Sequence, residues 1–571
     1  MEKEIRNLIK DALANLNIEV SDIVVEHPAD LKMGDYSTNV AMAVAKNIGE
    51  NPKVLAEKIV AEINRLNTDK NIEKVEVAGV GFINFYLSRE FFAHSVEEIL
   101  NQGLEVGKNQ SLSNKKIMVE YTDPNPFKPF HIGHLMTNAI GESIARILEH
   151  SGASVSRANY QGDIGLHVAK AIYGLLKNEK LQDKTGSHNE QSANIGIAYS
   201  QGNDAYENDT EAKAEIDEIN KKVYDKSDEK INEIYDWGFK ATMKAFEDLY
   251  ETLGTEFEFY FLESQMAPIG EKIVKTNMDE VFTESDGAIV FKAEKHNPKL
   301  HTRVFITSKG LPTYETKELG LTEEKFKTLP DMDLSIVVTA NEQMDYMRVV
   351  SQALSLIHKE FESKMKHITH GMMRLASGKM SSRKGNIVTG ESLVRDTIAL
   401  VQEKIKERDW DEDQKNKVAE MVGVSALKYS ILKQSTGGDI IYDFEKSISF
   451  EGDSGPYLQY SYARAKSVIE KSQKENILPD PHTELAEVFE LEKLLYKFPE
   501  VIDRSSKEYE PHYIASYLVE IARAYNSFYG NTIIVDKEDK NSGYKIALTY
   551  AFSFVMKTGL HLLGIKAPEK M

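Results

Sequence analysis

Two groups of residues in this chain could work on a phosphate. His131-Ile132-Gly133-His134 places two imidazoles three residues apart, with Lys128 just ahead of them. Imidazole and ammonium N–H groups can donate to oxygens whose negative charge grows during a reaction. Gly133, having no Cβ, lets a flat nucleotide lie close to the backbone. Far downstream, Gly378 and Gly385 bracket Lys379, Met380, Ser381, Ser382, Arg383 and Lys384. Hydroxyls and cations on a glycine-hinged loop suit a polyphosphate.

The local pattern says what positions the first group. Residues 117–121 are β-prone, and prolines at 124, 126 and 129 keep the following chain extended. Met136, Ile140, Ile144, Ile147 and Leu148 then mark one face of a helix, which Gly152 is suited to end. The histidines thus stand where a strand hands over to a helix N-terminus, a place that favours anions. SVSRANYQGDIGLHVAK (154–170) repeats the strand-turn-helix sequence, with a polar Gln161–Gly165 turn. GAIVFKA (287–293), HTRVFIT (301–307) and DLSIVVTA (333–340) are strand-like, and HITHGMM leads into the second basic group. Alternating strands and helices predict a parallel α/β sheet, with ligands beyond the carboxyl ends of its strands. Residues 180–285 break that rhythm and are expected to form a solvated helical insertion.

The totals bound the rest. A chain of 571 residues exceeds one core, so about three or four domains are expected. Cysteine is absent, which excludes disulfides, thiolate nucleophiles and cysteine-ligated zinc. A formal charge of −20 argues against indiscriminate nucleic-acid binding but leaves room for a local basic face. No apolar run is long enough for a membrane span. MEKEIRNLIKDALANL reads as an amphipathic helix and not a signal peptide, so cytoplasmic residence is expected. The C-terminal third is helical in pattern; Tyr457, Tyr460 and Arg464 share a helix face able to stack on splayed bases and meet phosphates.

HIGH after a strand, followed by the KMSSRKG loop, resembles the two signatures of class I aminoacyl-tRNA synthetases. That family carries a second lysine where Ser382 stands. Arginyl-tRNA synthetases often lack it and have one just upstream of HIGH, where this chain has Lys128. Similar to the arginyl members are also GDYSTN and GFINF near the N-terminus, VEYTDPN, TYETKELG, and the C-terminal GPYLQYSYAR, ARAYNSFYGN and LLGIKAPEKM.

The resemblance implies an arginine–tRNA ligase. Its fold would be a Rossmann-type parallel-sheet catalytic domain with an N-terminal α/β module and a C-terminal all-helical anticodon-binding domain. Expected bounds are 1–106 for the module, 107–395 for the catalytic domain, 396–448 for a helical stem-contacting region and 449–571 for the anticodon-binding domain. Lys128, His131, His134 and Lys379 would be catalytic, with Gly133, Met380, Ser381 and Ser382 also at the ATP. A guanidinium substrate needs carboxylates in bidentate geometry. Glu120 at a strand end and Glu318 one turn after Tyr314 could supply them, while Asn125 and Gln343 could hold the amino and carboxyl ends. The family's usual acid at Glu318 is the shorter aspartate. Anticodon-loop contacts would fall to Tyr457, Tyr460, Arg464, Tyr529 and Met571. Expected partners are ATP with Mg²⁺, L-arginine and tRNA(Arg), with neither zinc nor membrane, and the chain a monomer. Rival readings are a glutamyl or glutaminyl synthetase and a tRNA-binding relative without catalysis.

Overall fold

The computed structural model describes residues 1–571 apart from 69, 377–387 and 483–486. The N-terminal unit is a three-stranded antiparallel sheet, β1 (Tyr36–Thr38), β2 (Ile72–Ala78) and β3 (Phe82–Leu87), in the order β1-β3-β2. Helices Glu2–Asn15 and Pro52–Leu66 pack on it through Ile5, Ile9, Leu55 and Ile59, all buried. Its core also takes in Tyr496 of the C-terminal region, and Tyr36 and His27 bond to Glu500 there.

The centre of the molecule is a five-stranded parallel sheet. Its strands are β4 (Lys116–Glu120), β5 (Ser154–Gln161), β6 (Phe259–Leu262), β10 (Leu334–Ala340) and β11 (Met365–His370), ordered β11-β10-β4-β5-β6. From β4 the chain winds outward to β6, then returns to lay β10 on the other side of β4. The direction of winding therefore reverses between β4 and β10, and the crevice beyond their carboxyl ends is where such sheets bind ligands. β4 is buried from Ile117 to Glu120, as a strand covered on both faces must be.

Two sequence expectations need correcting. Strands β7 (Thr283–Ser285), β8 (Ala288–Phe291) and β9 (Arg303–Ile306) do not extend the parallel sheet; they form a separate antiparallel one. No helix long enough for a crossover lies between them, so consecutive strands pair antiparallel. The 180–285 stretch is also not simply a solvated insertion, because β6 within it is the edge strand of the main sheet. Its helices, His188–Asn208, Thr210–Asp225 and Glu229–Leu253, bury Ile195, Ile216, Ile219, Val223, Ile231 and Ile234 against helix Leu166–Lys177.

Helix Gly390–Ile405 runs unbroken through the expected boundary at 395/396 and packs on helix Glu412–Leu432. β12 (Met373–Leu375) pairs with β13 (Ile440–Tyr442) and ties this region to the catalytic sheet. The remainder, including Gly455–Lys474, His512–Asn531 and Ser542–Leu562, is a helical bundle.

Candidate functional site

Between β4 and the next helix the backbone is bent hard. Thr122, Asp123 and Phe127 all have positive φ (81°, 46° and 66°), which side-chain-bearing residues adopt only where their surroundings enforce it. The surroundings are visible. Asp123 Oδ1 accepts the backbone N–H of Tyr160 at 2.7 Å, and Asn138 donates to Thr122 Oγ1 at 3.1 Å. Phe127 is buried against Tyr235 and Gly238 of the Glu229–Leu253 helix. The helices of the 180–285 stretch thus wall one side of the site, a role that the sequence did not disclose.

The bend delivers His131 to the N-cap of helix Ile132–His150. His131 Nδ1 accepts the N–H of His134 at 3.3 Å, and His134 Nδ1 accepts the N–H of His131 at 3.2 Å. A ring nitrogen that accepts carries no proton, so both rings carry theirs on Nε2. Burial pushes His131 down to about 4, helped by Lys128 and His370, and holds His134 well below its ordinary value. The site therefore presents two neutral Nε2–H donors beside a helix N-terminus. Lys128 is half-buried, its ammonium 5.4 Å from the ring of Tyr199, and burial with nearby Lys170 lowers its pKa.

Around the crevice the other sequence candidates gather. Glu120 ends β4 and is 2% exposed; Glu318, on helix Tyr314–Thr328, is 5% exposed. Burial and the neighbouring Glu120 raise the Glu318 carboxyl well above the carboxylate range. Asn125 packs its Oδ1 against Gly162 of the turn after β5. Gln343 lies in the single turn Asn341–Gln343 after β10 and accepts from Tyr346 at 3.4 Å. Tyr314 opens its helix and is 64% exposed, with Lys317 5.3 Å over its ring. A cavity of about 400 Å³ is lined by Glu318, Thr322, Val337, Met347, Gln352 and His367.

Sequence reasoning missed several neighbours. Lys325, fully buried, forms an ion pair with Glu120, and Lys317 pairs with Glu263 at 2.6 Å. Asp123 is a third buried carboxyl at the same place, its pKa raised well above normal by burial and by Glu120. Lys325 lies seven residues after Glu318 on the same helix, a same-face spacing that could have raised it as a candidate.

Lys379, Met380, Ser381 and Ser382 lie outside the described residues. The chain on either side of them borders the first motif. His370, ending β11, is close enough to depress the pKa of His131. Gly390 donates its N–H to Phe130 O at 2.7 Å, and its missing Cβ would stand 2.9 Å from His131 O.

In the helical bundle, four of the five expected RNA contacts meet around one cation. The Arg464 guanidinium stands 4.9 Å from the Tyr460 ring and 5.0 Å from the Tyr529 ring. It donates to Asn526, which in turn donates to Tyr457 OH at 3.0 Å. Met571 joins Tyr457, Tyr460 and Arg464 in lining a cavity of about 450 Å³, to which Arg408 and Trp410 add a cation and an aromatic face unnoticed in the sequence.

Comparison with known proteins agrees with this arrangement. The family described as "tRNA synthetases class I (R), catalytic domain" matches residues 95–444. "DALR anticodon binding domain" matches 458–571, and "Arginyl tRNA synthetase N terminal domain" matches 3–87. An arginine–tRNA ligase of Clostridium perfringens is 31% identical over 98% of this chain and 97% of its own length. One from Halothermothrix orenii is 30% identical over 100% and 99%. The solved Thermus thermophilus arginyl-tRNA synthetase shares the fold across the whole of both chains, with a TM-score of 0.82 at 24% identity. A parallel sheet that reverses its winding beside mutually capped histidines, with those matches from end to end, places the chain in the arginyl-tRNA synthetase family of class I.

Proposed function

We propose that the protein is an arginine–tRNA ligase that activates L-arginine with ATP and passes the arginyl group to the 3′-terminal ribose of tRNA(Arg). The observation that carries the reading is the convergence at one crevice of a phosphate-directed helix N-terminus and a buried carboxyl cluster. ATP would lie along Gly133 with its phosphates toward the Nε2–H groups of His131 and His134 and the Lys128 ammonium. By the family resemblance, Lys379, Met380, Ser381 and Ser382 of the second motif would also contact the ATP. The arginine guanidinium would enter among Glu120, Glu318 and Tyr314, while Asn125 and Gln343 hold the other end. Its carboxylate then attacks the α-phosphorus, a P–O bond forms as diphosphate leaves, and the adenylate results. The rate would come from alignment and from donors aimed at developing phosphate charge.

Mg²⁺ would arrive with the triphosphate. No group of three or more His, Asp or Glu side chains among the described residues is arranged to hold a metal. The tRNA would be read by Tyr457, Tyr460, Arg464, Tyr529 and Met571 and reach the crevice with its other end. A single chain working in the cytoplasm completes the reading; no helix among the described residues is long and apolar enough to cross a membrane.

The test is charging of tRNA(Arg) by purified protein with each amino acid in turn, ATP and Mg²⁺ present. Arginine alone should give product. Charging with glutamate or glutamine would overturn the substrate, and tRNA binding without any product would leave only a non-catalytic relative.

A further inference from the structure

Helix Tyr314–Thr328 carries a lysine that a surface reading would not single out. Lys325 is 0% exposed, and its Nζ pairs with Glu120 Oε2. Both atoms are buried and make no hydrogen bond among the described residues, so the pair is held by charge, and it leaves Oε1 of the same carboxylate unengaged by Lys325. Long cationic side chains are almost never buried without a charge partner and a reason.

The reason lies in what surrounds the pair. Glu120, Asp123 and Glu318 are mutually close, and the latter two are raised first by burial and then by the field of Glu120. The groups facing them are the Lys325 ammonium, Glu263, and the hydroxyls of Tyr160 and Tyr346. Lys325 is the cation that draws both Asp123 and Glu318 back toward ionisation. Carboxyls this near to one another repel, and without a resident cation they take up protons. A protonated carboxyl is a poor bidentate acceptor for a guanidinium.

We propose that Lys325 is a positioning residue for arginine selection: by pairing with one oxygen of Glu120 it fixes that carboxylate's orientation and offsets the mutual repulsion of the cluster when the guanidinium enters. The proposal rests on the arginine–tRNA ligase reading and deepens it. Lys325 does not touch the substrate; it acts through Glu120. Its compact ammonium binds one oxygen where an arginine would span two, so the substrate's own fork is not pre-empted. Selection then depends on charge, and the informative competitor is citrulline, which has arginine's shape with a carbonyl in place of one nitrogen and no charge.

The experiment compares wild type with Lys325→Met, Lys325→Gln and Lys325→Arg in steady-state charging at pH 7.5, with citrulline as a competitive inhibitor. The two uncharged variants should raise KM for arginine about 10-fold or more, leave KM for ATP and tRNA within twofold, and shrink the preference for arginine over citrulline about 10-fold. The arginine defect should lessen as pH rises from 7 to 9, because the cluster then loses the protons it gained. Lys325→Arg, which restores the charge but can span both oxygens of Glu120, should recover only part of the preference. The proposal falls if KM for arginine is unchanged, if all three substrates suffer alike, or if the citrulline ratio stays at its wild-type value. Should Lys325→Met fail to fold, Lys325→Gln, which retains a donor, carries the same readings. Absence of arginine charging by the wild type would instead overturn the enzyme assignment itself, so the two failures are distinct.

Discussion

The His131 and His134 rings stack with centroids 3.4 Å apart, and each Nδ1 accepts the other's backbone N–H. One arrangement thereby caps the helix, selects the tautomer and leaves Nε2 as the donor on both rings. Cap and donor can be separated. His131→Asn keeps an N-capping acceptor but loses the ring donor, so Tm should stay within about 2 °C while kcat falls about 10²-fold. His134→Ala should lower kcat by at least as much and leave tRNA affinity within about twofold. Thermal melts beside single-turnover charging would check both; a wild-type rate in either variant would remove that imidazole from the chemistry.

Burial and the proximity of Glu120 hold a proton on Glu318 at pH values where a free glutamate has lost it. A guanidinium placed beside it favours the carboxylate and so expels that proton. Arginine binding should therefore release protons near neutral pH, and affinity should rise with pH up to the raised pKa of the free site. Calorimetry in two buffers of different ionisation enthalpy, with tRNA present, reads the release directly. Zero net release at pH 7 would show that Glu318 stays protonated in the complex or stands away from the substrate.

A Cβ at Gly162 would stand 2.2 Å from Asn125 Oδ1 and 3.2 Å from Glu263 Oε1. Gly162→Ala must therefore displace the Asn125 amide. KM for arginine should rise about 10-fold with KM for tRNA unaltered, because a misplacement of about 1 Å is felt at the bound substrate and not at the distant bundle. Steady-state charging decides it; an unaffected KM would mean that Asn125 does not hold arginine.

Arg464 sits between the Tyr460 and Tyr529 rings and is held by Asn526. Arg464→Met removes the cation and unlocks both aromatic faces. KM for tRNA should rise about 10-fold, as loss of one stacked or charged contact of about 1–2 kcal/mol implies, with arginine and ATP parameters unchanged. Filter binding with tRNA(Arg), and with a version altered in the anticodon loop, separates loop recognition from general electrostatics. Equal loss for both RNAs would place Arg464 on the phosphate backbone only.

Much of this site was legible before any coordinates. Hydrophobic spacing placed a helix after His131, and observed helix Ile132–His150 begins at the next residue. Type and place, joined by the family resemblance, pointed to Glu120 at a strand end, where it stands; spacing put Tyr457, Tyr460 and Arg464 on one helix face, where they line one cavity. Such inferences succeed because side-chain direction along a strand or helix follows from short-range periodicity. Lack of cysteine excluded thiolate-ligated zinc in the same local way.

What periodicity cannot say is which distant segment covers a given face. That β8 and β9 form their own antiparallel sheet, that β6 edges the main one, and that the Glu229–Leu253 helix closes over Phe127 are outcomes of competition among many burial options. Nothing near Lys325 in the chain announces Glu120, and nothing near Asn125 announces Gly162; packing alone brought each pair together. Local spacing determined which groups could do chemistry, while close packing in three dimensions decided which charges must share a dry crevice, and only there does the cost of an unpaired charge become large enough to matter.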